Sequence, residues 1–234
     1  MIIKGRLKAI VHMVPSSKCV LDVGTDHGFV PVYLVKEGIT EKAIVTDISA
    51  ASLNKARALI KKEGLEDKIE CRLGDGFGII QPGEADTAIL AGMGGLLIRN
   101  ILKDSLNVAE SIKTFLLQPM SAQDLLRRWL VEHGYTIIDE TLVREDGRFY
   151  EIILAVHGKQ PKLKEIYYNI GYMLIKKMDP LLEEFIMYKM AKTTEIIEHL
   201  ENQKTLRARK AAKRFKQRLT EYKEVYEWAI RCNR

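Results

Sequence analysis

Carboxylates and glycines are interleaved through Asp22-Val-Gly-Thr-Asp-His-Gly28, directly after a short apolar run. Gly24 and Gly28 permit positive φ and let a ligand approach bare backbone. The free amides of a helix starting after Gly28 would open into the same space. Asp22 and Asp26 make that space acidic, so it suits a ligand with hydroxyls and a cationic end better than a diphosphate. The spacing Gly24-x-x-x-Gly28 also departs from the G-x-G-x-x-G of dinucleotide folds, which weakens a nicotinamide reading. Further candidates each follow an apolar run: Asp47, Asp75 between Gly74 and Gly76, the cluster Gly92-Met93-Gly94-Gly95, and Gln118-Pro119.

To bring these groups together the chain must alternate strand and helix. Apolar runs predict strands at 19–23, 42–47, 69–73, 86–91 and 114–117, with helices at 48–63 and 121–132. Leu53, Ala56, Leu59 and Ile60 form the buried side of the 48–63 helix, and Ser49 is a candidate cap. Residues 135–144 and 148–156 read as a hairpin about Glu145-Asp146-Gly147. A short helix with Leu7, Ile10, Val11 and Val14 on one side precedes all of this and stops at Pro15. The sum is an α/β fold with a seven-stranded doubly wound sheet whose last two strands reverse direction. Ligands of open α/β sheets lie beyond the carboxyl ends of the strands, near the switch point, and the candidates all fall on that rim.

With 234 residues and 47% hydrophobic content the chain can bury a sizeable core, and it suits one α/β domain, 1–158, with an appendage. Residues 1–158 carry 19 Lys and Arg against 21 Asp and Glu, while 159–234 carry 18 against 10, so the net charge of +6 resides in the second part. From Gln203 to Arg218 there is no carboxylate. Helices are expected at 162–177, 181–200 and 205–228. Ile166, Ile170, Met173, Leu174, Leu182, Phe185, Ile186, Ile196, Ile197 and Leu200 would pack together with Leu206, Phe215, Leu219, Tyr222 and Val225. This arm, 159–234, is expected to be a coiled coil that leaves Arg207, Lys210, Lys213 and Arg214 to contact phosphates. Cys19, Cys71 and Cys232 are too few and scattered for a disulfide framework and offer no zinc pair, which points to the cytoplasm. No metal site and no membrane span are expected.

The motif Asp22-x-Gly24-x-x-x-Gly28 resembles the first motif of class I S-adenosylmethionine-dependent methyltransferases. Their cofactor implies tasks for the rim: Asp47 to accept ribose hydroxyls or else cap the next helix, and Asp75 to accept the adenine amine or else close a turn. Taken with Pro31, Gly74-Asp-Gly76, Ala91-Gly-Met-Gly-Gly95 and Gln118-Pro119, the whole chain resembles the bacterial tRNA (adenine-22) N-1-methyltransferase family, TrmK, with its Rossmann-like methyltransferase domain and C-terminal α-helical coiled coil. That family usually has Ser and Ala where Thr25 and Gly28 stand. The resemblance implies methyl transfer to ring nitrogen 1 of adenosine 22 in the tRNA D-loop. It implies cofactor contacts from Asp22, Gly24, Thr25, Asp26, His27, Gly28, Asp47, Ile48, Gly74, Asp75, Gly76, Gly92, Met93 and Gly94, and substrate contacts from Gln118 and Pro119. Alkylation leaves the base cationic, so a carboxylate nearby would help; Asp26 is the first candidate and His27 the second. A small-molecule methyltransferase and a non-catalytic RNA-binding protein are the competing readings, and the arm would equally serve a weak dimer as a monomer.

Overall fold

The structure is a computed structural model that describes residues 3–203 and 205–232; Lys204, in the basic run, lies outside them. The chain divides into two compact units, residues 1–162 and 163–234.

Seven strands of the first unit form one sheet: β1 (Ser17–Val23), β2 (Thr40–Asp47), β3 (Ile69–Leu73), β4 (Thr87–Met93), β5 (Thr114–Pro119), β6 (Tyr135–Glu145) and β7 (Arg148–His157). Their order is β3-β2-β1-β4-β5-β7-β6, parallel through β5 and antiparallel at β7 and β6. The chain winds outward from β1 in one direction and then from β4 in the other, so the switch point lies between these two neighbours. The parallel strands are apolar on both sides because helices cover both. Val20, Ile89 and Leu116 pack with Ile10, Val11, Val30 and Leu34 of α1 (Gly5–Met13) and α2 (Phe29–Lys36). Their alternates Leu21, Leu90 and Leu117 are fully buried as well. The crossovers are completed by α3 (Ala50–Glu63), α4 (Gly95–Asp104), α5 (Leu106–Ser111) and α6 (Gln123–Glu132). The hairpin is tighter than its turn tripeptide suggests: Glu145 already pairs with Arg148, and Asp146 (φ 50°) and Gly147 (φ 73°) are the two turn residues.

Two predicted helix starts move: the 121–132 helix begins at Gln123, after Ala122 at a φ of 53°. The 48–63 helix begins at Ala50, because the Asp47 carboxylate accepts the Ser49 amide at 2.7 Å and holds residues 47–49 in a turn; Ser49 then caps the helix by accepting from the Ser52 amide. Ile48 is left 75% exposed.

The second unit consists of α7 (Glu165–Ile170), α8 (Tyr172–Lys176), α9 (Leu182–Glu201) and α10 (Leu206–Cys232). The single helix expected over 162–177 is instead two, broken at Gly171, whose φ of 110° no right-handed helix accommodates. The packing of the arm follows expectation at Ile166, Ile170, Leu174, Leu182, Phe185, Ile186, Ile197 and Tyr222, which are buried, and departs from it elsewhere. Leu206 and Ile196 face solvent, while Ala208, Ala212, Tyr222 and Ala229 of α10 and Thr193 of α9 are buried. The buried positions of α10 are thus mostly alanines, and the large apolar residues at 215, 219 and 225 are half-buried.

Candidate functional site

The β1–α2 loop is tied to the next strand before any side chain is considered. The amides of Gly24 and Thr25 both donate to the Thr46 carbonyl, at 2.8 and 3.2 Å. The Asp26 amide donates to Oδ2 of Asp47 at 3.3 Å, so Asp47 braces the loop with one oxygen and its own turn with the other. A carboxylate offers about four lone-pair sites, which leaves Asp47 with capacity for a ligand's hydroxyls. The Gly74 amide donates to the Asp47 carbonyl at 3.0 Å, which brings the 74–76 loop beside it, and Asp75 opens a turn by accepting the Gly78 amide. Of the two tasks open to Asp75, its backbone thus performs the turn and its side chain is still available.

Asp22 is the buried acid of the site. It is 6% exposed, accepts the Thr25 hydroxyl at 2.5 Å, and has no cationic partner among the described residues. Burial pushes its pKa up from an ordinary 3.8 to about 6; the Thr25 hydrogen bond opposes this and the neighbouring Asp47 charge adds to it. Asp26 behaves in the opposite way. Slight burial works against its ionisation, but hydrogen bonds from Lys55 (3.2 Å) and His27 Nδ1 (2.7 Å) and their charges hold its carboxyl below the ordinary range. The backbone of Asp26 sits at a φ of 47°, and His27 stacks on Phe29 with ring centroids 5.4 Å apart.

A cleft of about 370 Å³ lies between this loop, Phe29, the first turn of α1, and Ala91 and Gly92 at the end of β4. Asp22 and Arg6 both line it. Asp47 and Asp75 stand outside the cleft, on the neighbouring strand ends. Arg6 was not indicated by the sequence. The reason it belongs here is a bulge. Pairing of β4 with β5 slips between Ala91 and Met93, and Gly92, at a φ of 78°, turns its amide away from the ladder. Gln118, fully buried on β5, accepts that amide at 3.2 Å and accepts Arg6 Nη1 with the same oxygen at 2.5 Å. Its amide nitrogen donates to the Pro119 carbonyl at 3.2 Å. Gln118 is therefore committed to holding Arg6 and the bulge.

The glycines divide by cause. At Gly28 a Cβ would lie 3.1 Å from Cβ of Ala56, so this residue lets α2 and α3 approach; at Gly95 it would lie 2.7 Å from the Ser121 carbonyl oxygen, which the Gly95 amide itself bonds. Neither requires a ligand. Gly24 and Gly92 line the cleft with positive φ, and they are the positions where bare backbone faces it. On α10, Arg207, Lys210, Lys213 and Arg214 are all exposed. Among the described residues no group of His, Cys, Asp or Glu could hold a metal ion, and no helix is long and apolar enough to cross a membrane.

Residues 3–153 match a family described as a methyltransferase domain. Among curated proteins, the tRNA (adenine(22)-N(1))-methyltransferase of Bacillus subtilis is 35% identical over 153 residues, 65% of this chain; the match spans 64% of that enzyme's length. The crystal structure of the B. subtilis m1A22 tRNA methyltransferase TrmK superposes with a TM-score of 0.86 at 27% identity, covering 97% of this chain and all of the other. TrmK of M. capricolum, solved with the cofactor product S-adenosyl-homocysteine, gives a TM-score of 0.83 at 25% identity over 97% of this chain and all of that one. An acidic, glycine-interrupted rim at the switch point and a match that takes in that whole rim agree, and the chain belongs to the TrmK family of S-adenosylmethionine-dependent methyltransferases.

Proposed function

We propose that this protein is a cytoplasmic tRNA methyltransferase that uses S-adenosylmethionine to methylate ring nitrogen 1 of adenosine 22 in the D-loop. The observation that carries the reading is the uncompensated buried carboxylate of Asp22 in the lining of the cleft. A buried acid without a cation is costly unless its site is completed by one, and the ammonium end of the cofactor has that charge. Asp47 retains acceptor capacity for ribose hydroxyls and Asp75 for the adenine amine. Gly24 and Gly92 admit the cofactor to backbone. When bound, S-adenosylmethionine supplies an electrophilic methyl group on sulfonium.

The acceptor nitrogen of neutral adenine already carries a lone pair, so alignment is the main requirement. Asp26, kept ionised by Lys55 and His27, would counter the positive charge that develops on the base. Its low proton affinity makes it an electrostatic partner before a proton acceptor. Because the acceptor lies on the Watson–Crick edge, the base must leave its tertiary position, and the His27–Phe29 stack offers an aromatic face at the mouth. The exposed cations of α10 favour RNA over a small-molecule substrate, with Arg207, Lys210, Lys213 and Arg214 contacting phosphates of the same tRNA.

Incubation of tRNA with the protein and donor, followed by primer extension, tests this. N1-methylation blocks Watson–Crick pairing, so a stop at position 22 is expected; full-length extension, or a stop elsewhere, would refute the assignment.

A further inference from the structure

The exposed cations of α10 do not form a single row. Ala208, Ala212 and Tyr222 mark the line along which the helix is buried, and half-buried Phe215 continues it. Each step in sequence turns a helix by about 100°. Arg207 and Arg214 come one residue before Ala208 and Phe215, so they stand on one flank of that line. Arg209 and Lys213 come one residue after Ala208 and Ala212, so they stand on the other. Lys210, two residues from both alanines, is on the crest between the flanks. Packing bears out the division: a cavity of about 340 Å³ between α9 and α10 is lined by Arg209, Lys213 and Lys216, and Arg207, Lys210 and Arg214 take no part in it. Lys216 is held by Glu201 of α9 at 2.6 Å, which leaves Arg209 and Lys213 to represent the second flank.

Two rows of cations separated by the body of a helix, about 10 Å, call for two rows of anions. A single RNA strand has one backbone track, and proteins that hold it add aromatic rings on which its bases stack. From Gln203 to Arg218 the sequence has one aromatic residue, Phe215, and the guanidinium carbon of Arg218 lies 5.4 Å from the centre of its ring. Double-stranded RNA meets both demands, because phosphates line each side of its groove and its bases stay stacked on one another. We infer that α10 straddles a groove of base-paired RNA, with Arg207 and Arg214 on the phosphates of one strand, Arg209 and Lys213 on those of the other, and Lys210 within reach of either. The inference deepens the tRNA reading given above and rests on it: α10 takes a stem, while the cleft takes the unpaired nucleotide.

The test uses the full chain as wild type and as two double variants, Arg207→Gln with Arg214→Gln and Arg209→Gln with Lys213→Gln. Labelled tRNA bound to wild type is competed with an RNA hairpin whose stem has about 12 base pairs, or with an unstructured RNA of equal phosphate number. The hairpin should displace tRNA at a concentration about tenfold lower than the unstructured strand. Each double variant should weaken tRNA binding about tenfold and reduce the logarithmic salt slope by about two, one row mattering as much as the other. Helical circular dichroism of the variants should match wild type, and the competition, made with wild type alone, reads the inference even where a variant misfolds. Equal or better competition by the unstructured strand, or a folded double variant that binds tRNA with the wild-type slope, would overturn it. A wild-type protein that does not methylate tRNA would instead refute the reading on which it rests.

Discussion

Two aspartates four residues apart in one loop have opposite electrostatics, and the difference is testable residue by residue. Asp22 is buried without a cation and its pKa rises to about 6, so between 3.8 and 6 the native state holds a proton that the unfolded chain has released. Stability of the ligand-free protein therefore falls as pH rises through that window, by about 3 kcal/mol in all, and stays lower above it. Asp22→Asn should remove that slope and raise the melting temperature at pH 7 while weakening binding of S-adenosylmethionine; melts at pH 4 to 7 that keep the wild-type slope would contradict the account. Binding of the cofactor to wild type should weaken as pH falls below about 6, since the protonated acid no longer attracts an ammonium. Asp26 lies lower than an ordinary carboxyl and stays ionised across that range. Asp26→Asn should slow single-turnover methyl transfer by about tenfold at every pH from 5 to 8, less than the 10²–10⁴ that a general base supplies. A pH limb that disappears in the variant would show that Asp26 takes a proton after all.

At the scale of elements, what was legible depended on whether a signal was local. Apolar runs and the Asp146-Gly147 turn mark the strands because burial on both faces and a two-residue hairpin need particular residues in sequence order. The acidic loop was legible for the same reason. Arg6 and the internal commitment of Gln118 were not, since both depend on a bulge at Gly92 that appears only when β4 and β5 are laid side by side. The glycine of residue 28 was legible through its positive φ, which is 72°, whereas its contact with Ala56 belongs to the meeting of two helices. In the arm, Leu182, Phe185, Ile186, Ile197 and Tyr222 are buried as the apolar pattern indicates, but Leu206 and Ile196 are not, and the buried alanines 208, 212 and 229 of α10 were not legible from side-chain size. Ala212→Leu should thus overpack the hairpin and destabilise that unit by about 1–3 kcal/mol, whereas Leu206→Ala, at a 69% exposed position, should change stability by no more than about 0.5 kcal/mol. Urea unfolding of the full chain, followed by helical circular dichroism, ranks the two; the reverse order would restore the seam read from side-chain size.

At the scale of the whole molecule, the charge asymmetry decides what kind of affinity the protein has for its substrate. Residues 1–158 are close to neutral and the cations of α10 are exposed along a stretch that has no carboxylate between Gln203 and Arg218. Lys216 is an exception within it, already paired with Glu201 of α9 at 2.6 Å, which makes it a poor phosphate ligand and a useful internal control. On the proposed function, counterion release would make binding by the remaining cations steeply salt-dependent and nearly indifferent to base sequence, and selection of one adenosine would be left to the cleft. Reversing Lys210 and Arg214 together to glutamate should therefore weaken tRNA binding by at least tenfold at 100 mM salt and reduce the logarithmic salt slope by about two, with binding of S-adenosylmethionine to the cleft unaffected. Lys216→Ala should move that slope much less. Filter binding of tRNA over a salt series measures both variants. Equal slopes for wild type and the double reversal would mean that α10 carries its charge for solubility and that the RNA is held by the sheet's rim alone.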